Sequence, residues 1–287
     1  MAKWWKTLAA LLVFAGLALV VLRGGGTHPA PVGWPVNVGH RGASARFPEN
    51  TLASFRAALE AGAGGLELDV RVTRDGHPVI MHDAAVDRTT DGFGAVAGMT
   101  LEAVRRLDAG RSGDPDEKVP TLREVFEEFP GVPVNLEIKD RDVPGAERIV
   151  LDALRGAGAA GRVLVASADH RVLRRFRGVA GGEFDTGASR LEIGVFYALS
   201  LLRLERLLRP AYAALQVPVR HRSLRILTPR FVEAAHALGV RVDVWTINDP
   251  AQMSEVLDLG ADAVMTDRPE ALAEVLESRA GASCISA

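Results

Sequence analysis

Short apolar runs alternate with helix-like segments from Val36 almost to the end of this chain, and this alternation constrains its fold most strongly. It is the pattern of βα units with parallel strands. Eight such pairs over about 245 residues match the usual size of a (β/α)8 barrel. An open doubly wound sheet is the alternative, but no G-x-G-x-x-G turn follows the first strand. We therefore predict an α/β fold of the TIM-barrel type.

The individual segments follow from apolar periodicity and turn residues. The predicted strands are Val36–Gly39, Gly65–Val72, Val134–Lys139, Arg162–Ser167, Glu192–Val195, Ala214–Val217, Arg241–Thr246 and Ala263–Thr266. The predicted helices are Thr51–Ala61, Leu122–Glu128, Ala146–Arg155, Arg171–Arg177, Ala198–Leu208, Pro229–Leu238, Ala251–Leu259 and Pro269–Ser278.

Strict alternation breaks after the second strand. Asp75-Gly76-His77-Pro78 indicates a turn, and Val79-Ile80-Met81 indicates a short extra strand. Residues 84–120 then form an insertion that is much longer than a typical βα connection. We expect this insertion to cover a site on the carboxyl-terminal rim of the barrel.

The amino-terminal segment is typical of a membrane anchor. Lys3 and Lys6 flank the start of a stretch that runs from Trp4 to Leu22, which is 19 residues, close to the roughly 20 that cross a bilayer as a helix. Because no small-residue cleavage site follows, residues 1–23 predict an uncleaved signal anchor, with a cleaved signal and a secreted protein as the alternative. The lysines favour an extracytoplasmic catalytic domain.

The remaining boundaries follow from composition. Residues 24–35 are rich in Gly and Pro and predict a linker, residues 36–279 form the barrel domain, and residues 280–287 are expected to be a flexible tail. The formal net charge of −2 argues against a nucleic-acid partner. Cys284 is the single cysteine of the sequence, so no intrachain disulfide forms. The oligomeric state stays open.

Carboxylates follow the strand alternation at one end of the predicted barrel. In the second strand Glu67 and Asp69 point one way while the leucines around them point the other, and Glu137 repeats this pattern in the next strand. Converging carboxylates repel each other, and a hard divalent cation such as Mg²⁺ or Ca²⁺ would resolve that repulsion. A buried salt-bridge network with Lys139 and Arg41 is the alternative.

Two histidines lie at strand ends near these carboxylates. His40 and His82 suit a paired general acid and base, while Arg41 and Lys139 provide the positive charge that a phosphate needs. A metal, an acid–base pair and two cations together indicate phosphoryl chemistry on an ester.

Several motifs in this order resemble those of the glycerophosphodiester phosphodiesterase family. They are His40-Arg41-Gly42, Pro48-Glu49-Asn50-Thr51, Glu67-Leu68-Asp69-Val70, Asp75-Gly76, His82-Asp83, Asp87-Arg88-Thr89-Thr90, Leu107-Asp108-Ala109-Gly110, Val119-Pro120-Thr121-Leu122, Asn135-Leu136-Glu137-Ile138-Lys139, Val244-Trp245-Thr246-Ile247-Asn248 and Thr266-Asp267-Arg268-Pro269. The resemblance covers about residues 36 to 276 and implies a barrel with an insertion after its second strand.

The same resemblance implies a role for each candidate site residue. His40 and His82 would be the acid–base pair, and Arg41 and Lys139 would contact the phosphate. The implied metal ligands are Glu67, Asp69 and Glu137, and Trp245 would line the pocket. The implied reaction releases an alcohol and glycerol 3-phosphate from a glycerophosphodiester.

Two stretches bear on the substrate. Phe196–Leu208 is unusually apolar, and arginines lie at 203, 206 and, directly after it, 209, which is typical either of an ordinary barrel helix or of a lip that rests on lipid headgroups. The basic stretch from Arg220 to Arg225 is either a solvated loop or a contact for anionic headgroups. A lysophospholipase D acting on membrane lysophospholipids, and an inactive headgroup-binding protein, are therefore the alternative functions. The intact His40 and His82 argue against an inactive headgroup-binding protein.

Overall fold

The computed structural model describes residues 33–110 and 117–285, and within them the central feature is a nearly closed parallel barrel. Eight parallel strands follow the order β6-β5-β4-β2-β1-β11-β10-β7, and a parallel bridge between Gly187 and Ala214 joins the two ends of that order. This arrangement confirms the predicted (β/α)8 barrel. The strands are β1 Asn37–His40, β2 Gly65–Val72, β3 Pro78–Ile80, β4 Val134–Ile138, β5 Val163–Ala166, β6 Asp185–Thr186, β7 Ala214–Val217, β8 Arg220–His221, β9 Leu224–Arg225, β10 Arg241–Val244 and β11 Ala263–Thr266.

Apart from Leu101–Arg105, which lies in the segment between β3 and β4, the helices follow the barrel strands and pack on their outer face. The helices are α1 Leu52–Glu60, α2 Leu101–Arg105, α3 Leu122–Glu128, α4 Ala146–Gly156, α5 His170–Ala180, α6 Arg190–Leu201, α7 Pro229–His236, α8 Pro250–Asp258 and α9 Pro269–Ile285. Two 3-10 turns accompany them, Val96–Gly98 and Glu205–Leu207.

Side chains of β2 alternate between the helix layer and the barrel interior, as the sequence predicts. Leu66, Leu68 and Val70 are buried in the apolar cluster that β2 shares with α1 and α4. Glu67 and Asp69 are also buried, at 4% and 1% exposure, but on the opposite face of the strand. The barrel interior is therefore polar at the carboxyl-terminal end of β2.

Polar pairs also fill deeper positions of the barrel. Gln216 Nε2 donates to Asn135 Oδ1 across the interior at 2.8 Å. Arg241 and Asp243 form a buried ion pair at 2.6 Å, and the Trp34 ring lies 4.7 Å from the Arg241 guanidinium carbon. Because buried charges need partners, these contacts account for ionisable residues in the interior outside the candidate site.

The predicted fifth strand, Glu192–Val195, is wrong. Those residues lie in α6, and the fifth barrel strand is the two-residue β6 between Gly182 and Gly187. The reason is a capping box: the Ser189 side chain accepts from the Glu192 backbone N–H, and the Glu192 carboxylate accepts from the Ser189 N–H. That motif starts a helix at Arg190. The second half of α6 and the 3-10 turn therefore occupy the range where we expected a separate helix, Ala198–Leu208.

The carboxyl terminus also differs from the expectation. α9 continues past the predicted end at Ser278 to Ile285, so the expected tail of residues 280–287 is helical as far as 285. The predicted anchor, residues 1–23, lies outside the described residues, as does most of the predicted linker. Within the ranges 33–110 and 117–285, no helix combines the length and apolar character that crossing a membrane requires.

The segment after β2 has its own small core. β3 pairs antiparallel with β2, and Val79, Val86, Val96 and Val104 form an apolar cluster with their neighbours. The predicted extra strand and the predicted insertion are therefore both present. This subdomain starts directly beside His82.

Candidate active site

The three predicted metal ligands meet at the carboxyl-terminal ends of two adjacent strands. Asp69 of β2 lies opposite Glu137 of β4, and Glu67 lies two residues earlier on β2. One carboxylate oxygen from each of the three lies within 4.8 Å of the others. Strand alternation and parallel pairing are enough to bring them together.

Electrostatic repulsion within this cluster is large. Burial, together with the neighbouring Asp69 charge, raises the pKa of Glu67 to about 7. Burial would also raise the pKa of Asp69, but Lys139 and Arg41 outweigh it and hold that pKa below its ordinary value. The cluster therefore places three carboxyl groups beside two cations, and the raised pKa of Glu67 reflects that imbalance.

Lys139 and Arg41 supply those cations. Lys139 Nζ lies 2.7 Å from Glu137 Oε2 and 3.0 Å from Asp69 Oδ1. Arg41 Nε lies 3.2 Å from Asp69 Oδ2, and its backbone N–H donates to Glu67 Oε2 at 3.0 Å. Both predicted phosphate ligands are thus within the cluster, bound to carboxylates.

The donor set fits a hard divalent cation. All three side chains offer oxygen, which Mg²⁺ and Ca²⁺ prefer. Asp69 Oδ1 is buried without a hydrogen-bond partner, although Lys139 Nζ lies 3.0 Å away. This oxygen therefore has a lone pair available for a metal ion. The raised pKa of Glu67 indicates the same shortage of positive charge.

His40 ends β1 and is oriented by Asp267, which follows β11. His40 Nδ1 lies 2.7 Å from Asp267 Oδ1, and His40 Nε2 lies 3.9 Å from Glu67 Oε2. Burial would lower the pKa of His40, but the Glu67 charge and the Asp267 hydrogen bond raise it above its ordinary value. The hydrogen bonds that Asp267 accepts from His40, Asn248 and Ser44 outweigh its burial and lower its pKa to about 2.

His82 follows β3 and is oriented by its sequence neighbour. Its Nδ1 lies 2.6 Å from Asp83 Oδ1. Its backbone carbonyl accepts from Arg71 Nε and Nη2 at 3.0 and 2.7 Å, and Arg71 is paired with Asp140. The β2 framework therefore fixes the backbone of His82, while Asp83 fixes its ring.

A second ring of charged residues surrounds these groups. Glu49 accepts from Arg41 Nη1 at 2.9 Å and from Arg88 Nη1 at 2.7 Å, and Arg88 Nε donates to Asp83 Oδ2 at 2.6 Å. Asn50, with φ of +59°, donates from its side chain to Asp69 Oδ2 at 2.9 Å. The chain of contacts ties the insertion to the end of β1.

The sequence reasoning assigned no role to Asp267, Asp83 or Glu49. Asp267 directly follows the last strand, so the strand-end rule that indicated His40 would also have indicated Asp267. Asp83 adjoins His82 in the sequence. Glu49 carried no such signal, because its role depends on a contact with the distant Arg88.

Trp245 lies on the same rim, directly after β10. Its side chain is 40% exposed, and its backbone N–H donates to the Val217 carbonyl at 3.2 Å. Its predicted role in lining a pocket remains a prediction.

Comparison with known proteins decides the family. The sequence profile of the glycerophosphoryl diester phosphodiesterase family matches residues 40–271.

The chain belongs to this family.

Among relatives, a glycerophosphodiester phosphodiesterase of Caldanaerobacter subterraneus subsp. tengcongensis is 37% identical over 244 residues, which are 82% of this chain and 95% of the relative. Two similar solved structures are an Oleispira antarctica phosphodiesterase, in complex with the product sn-glycerol-3-phosphate, and a glycerophosphodiester phosphodiesterase from Thermotoga maritima. The first has a TM-score of 0.67 and 29% identity, and covers 84% of this chain and 96% of that one. The second has a TM-score of 0.65 and 29% identity, with coverage of 84% and 98%.

Membership in the glycerophosphoryl diester phosphodiesterase family confirms the resemblance drawn from the sequence motifs. It places the chain among phosphoric diester hydrolases. The matched range begins at His40 and includes all eight candidate site residues.

Proposed function

We propose that this chain hydrolyses glycerophosphodiesters to an alcohol and glycerol 3-phosphate with a divalent metal and two histidines. The observation that carries the proposal is the pair of histidine–carboxylate dyads beside a cluster of three carboxylates on one rim of the barrel. The names of the relatives agree with this substrate class, and the Oleispira antarctica phosphodiesterase binds sn-glycerol-3-phosphate as its product.

Glu67, Asp69 and Glu137 would hold Mg²⁺ or Ca²⁺ in this proposal. Such an ion, when bound, would neutralise phosphate charge and polarise the phosphoryl oxygens. Arg41 and Lys139 would turn from the carboxylates towards the phosphate and stabilise the negative charge that develops on its oxygens. Their side chains are 18% and 15% exposed, so both reach the rim.

The two histidines would transfer protons in this proposal. A ring nitrogen of one histidine accepts the proton of the attacking hydroxyl group. A ring nitrogen of the other histidine donates a proton to the departing alcohol oxygen. In each histidine Nδ1 contacts a carboxylate, which leaves Nε2 for the substrate. Water or a neighbouring glycerol hydroxyl would both satisfy this arrangement as the nucleophile.

Product identification tests the proposal directly. The full chain is incubated with glycerophosphocholine and Mg²⁺ or Ca²⁺, and the products are identified by mass spectrometry. We expect choline and glycerol 3-phosphate in equal amounts. Choline phosphate with glycerol, or no turnover with either metal, would refute the proposed reaction.

A lysophospholipase D is the second candidate function. The exposed β8–β9 hairpin favours it, because its four strand positions carry Arg220, His221 and Arg225 beside an exposed Leu224. The same incubation with lysophosphatidylcholine distinguishes the two: release of choline from this lipid at a higher kcat/KM than from glycerophosphocholine would favour the second function. An inactive headgroup-binding protein would bind either substrate without turnover.

We also propose that residues 1–23 anchor the chain in a membrane with the barrel on the extracytoplasmic side. The proposal rests on the apolar run and its preceding lysines. Mass spectrometry of the chain isolated from membranes should find the original amino terminus. A mature terminus after residue 23 would show that the segment is a cleaved signal.

A further inference from the structure

An exposed apolar surface lies at the end of α6, outside the candidate active site. Leu201, Leu202, Leu204 and Leu207 are 60, 62, 43 and 59% exposed. Single exposed leucines are ordinary, but four within one short segment form a patch of the kind that usually has a partner. We call residues 201–209 the leucine–arginine loop.

The backbone of this loop is tightly defined. The Leu204 N–H donates to the Leu199 carbonyl at 2.9 Å and the Arg203 N–H to the Ser200 carbonyl at 3.3 Å, which is the Schellman pattern of a helix end. Arg203 occupies the position where glycine is favoured, with φ of +58°. An arginine there places a charged side chain between Leu202 and Leu204.

Contacts with Arg230 of α7 also fix the position of the loop. The buried side chain of Glu205 pairs with Arg230 Nη2 at 2.5 Å, and Arg230 Nε donates to the Ser200 carbonyl at 3.1 Å. Leu199 and Leu208 are buried on either side of the exposed leucines. The exposed leucines are therefore presented on a fixed framework.

The exposed charges of the loop are all positive. Arg203, Arg206 and Arg209 are exposed, while its single acidic residue, Glu205, is buried and neutralised by Arg230. Leucines that alternate with arginines are the composition of segments that lie at the interface of an anionic bilayer: the leucines enter the acyl boundary and the guanidinium groups contact lipid phosphates.

We propose that the leucine–arginine loop is a contact surface for an anionic lipid bilayer. The charge favours a lipid surface over a second copy of this chain, because a two-fold contact would bring two sets of arginines together. The sequence also carries the apolar run Leu8–Leu22, which predicts a membrane anchor in the same chain. The proposal does not depend on the reaction that the barrel catalyses.

A fluorescent probe on the loop tests this proposal in the full chain. Cys284 is replaced by Ser, Leu202→Cys is labelled with a polarity-sensitive fluorophore, and the chain is added to phosphatidylcholine vesicles with or without phosphatidylglycerol. The matched control carries the label at Val179→Cys, another exposed apolar position, on α5. A further variant combines Arg206→Gln with Arg209→Gln, and circular dichroism checks that each variant is folded.

For the label at position 202 we expect a blue shift of the fluorescence emission and quenching by spin-labelled lipid. Both effects should be larger with phosphatidylglycerol, weaker in the double glutamine variant and absent for the label at position 179. Equal signals at positions 202 and 179, or a signal at 202 that ignores phosphatidylglycerol, would overturn it. A blue shift that grows with protein concentration in detergent without vesicles would instead identify a second copy as the occupant.

Discussion

Each catalytic histidine proposed here depends on a carboxylate that holds its ring. Asp267 reaches His40 from the far end of the sequence, whereas Asp83 reaches His82 from the next residue. A carboxylate at Nδ1 selects the tautomer that presents Nε2 and stabilises the imidazolium that forms during proton transfer. The strand-end position of Asp267 was readable from the sequence, but its contact with His40 was not, because it depends on the pairing of β1 with β11 across 227 positions.

His82→Ala should remove most of the activity and keep the fold. General acid–base catalysis contributes on the order of 10²–10⁴-fold, so kcat should fall by about that factor. The measurement is the steady-state rate on glycerophosphocholine with circular dichroism on the same sample. His77→Ala is the matched control, since His77 lies in the turn before β3 with its side chain 51% exposed. A His82→Ala variant as active as His77→Ala would refute the acid–base role.

Asp267→Asn should act through His40 rather than on the substrate. Loss of the carboxylate charge lowers the pKa of His40, because Asp267 is one of the groups that raise it. A charge-assisted hydrogen bond is worth about 1.5–3 kcal/mol, so kcat should fall roughly ten- to a hundredfold with little change in KM. The pH–rate profile is the decisive readout, and the limb that belongs to His40 should move to lower pH. An unchanged profile with reduced activity would indicate a purely structural role.

At the scale of elements, the longer strands were more predictable than the shortest one. β2 and β4 carry the carboxylates on one face and apolar residues on the other, and this alternation alone indicated which side chains converge. β6 escaped detection because two residues bounded by glycines hold no periodicity. Ile193 and Val195 resembled a strand, yet the Ser189–Glu192 capping box begins a helix there.

Removal of that cap should destabilise the barrel measurably. Ser189 is fully buried and its hydroxyl both accepts from the Glu192 N–H and donates to the Glu192 carboxylate. Ser189→Ala should lower the free energy of unfolding by about 0.5–2 kcal/mol, as measured by urea denaturation. Ser278→Ala on α9 is the control, since the Ser278 hydroxyl only donates to the Glu274 carbonyl within an exposed turn. Equal effects of the two substitutions would show that the cap does not define the start of α6.

At the scale of the whole molecule, the site exists because the barrel brings distant strand ends to one rim. β1, β2, β4 and β11 supply His40, the carboxylates and Asp267, while the segment after β2 adds His82. The order of these strands followed from the βα pattern, and so did the approximate site. The contacts that join the insertion to β1, through Glu49 and Arg88, depend on tertiary packing that no local pattern encodes.

The central claim is that Glu67, Asp69 and Glu137 form a divalent metal site on which the hydrolysis depends. The most direct test strips the full chain with a chelator, titrates back Mg²⁺ or Ca²⁺, and records the rate of choline release from glycerophosphocholine for the native chain and Glu137→Gln. We predict no hydrolysis without metal and recovery of the rate in the native chain when metal is added back. For Glu137→Gln the half-saturating metal concentration should rise at least as much as the roughly 10–100-fold that is typical when a residue that hydrogen-bonds to a metal ligand is lost. An undiminished rate in excess chelator, or identical metal titrations for the two proteins, would contradict the claim.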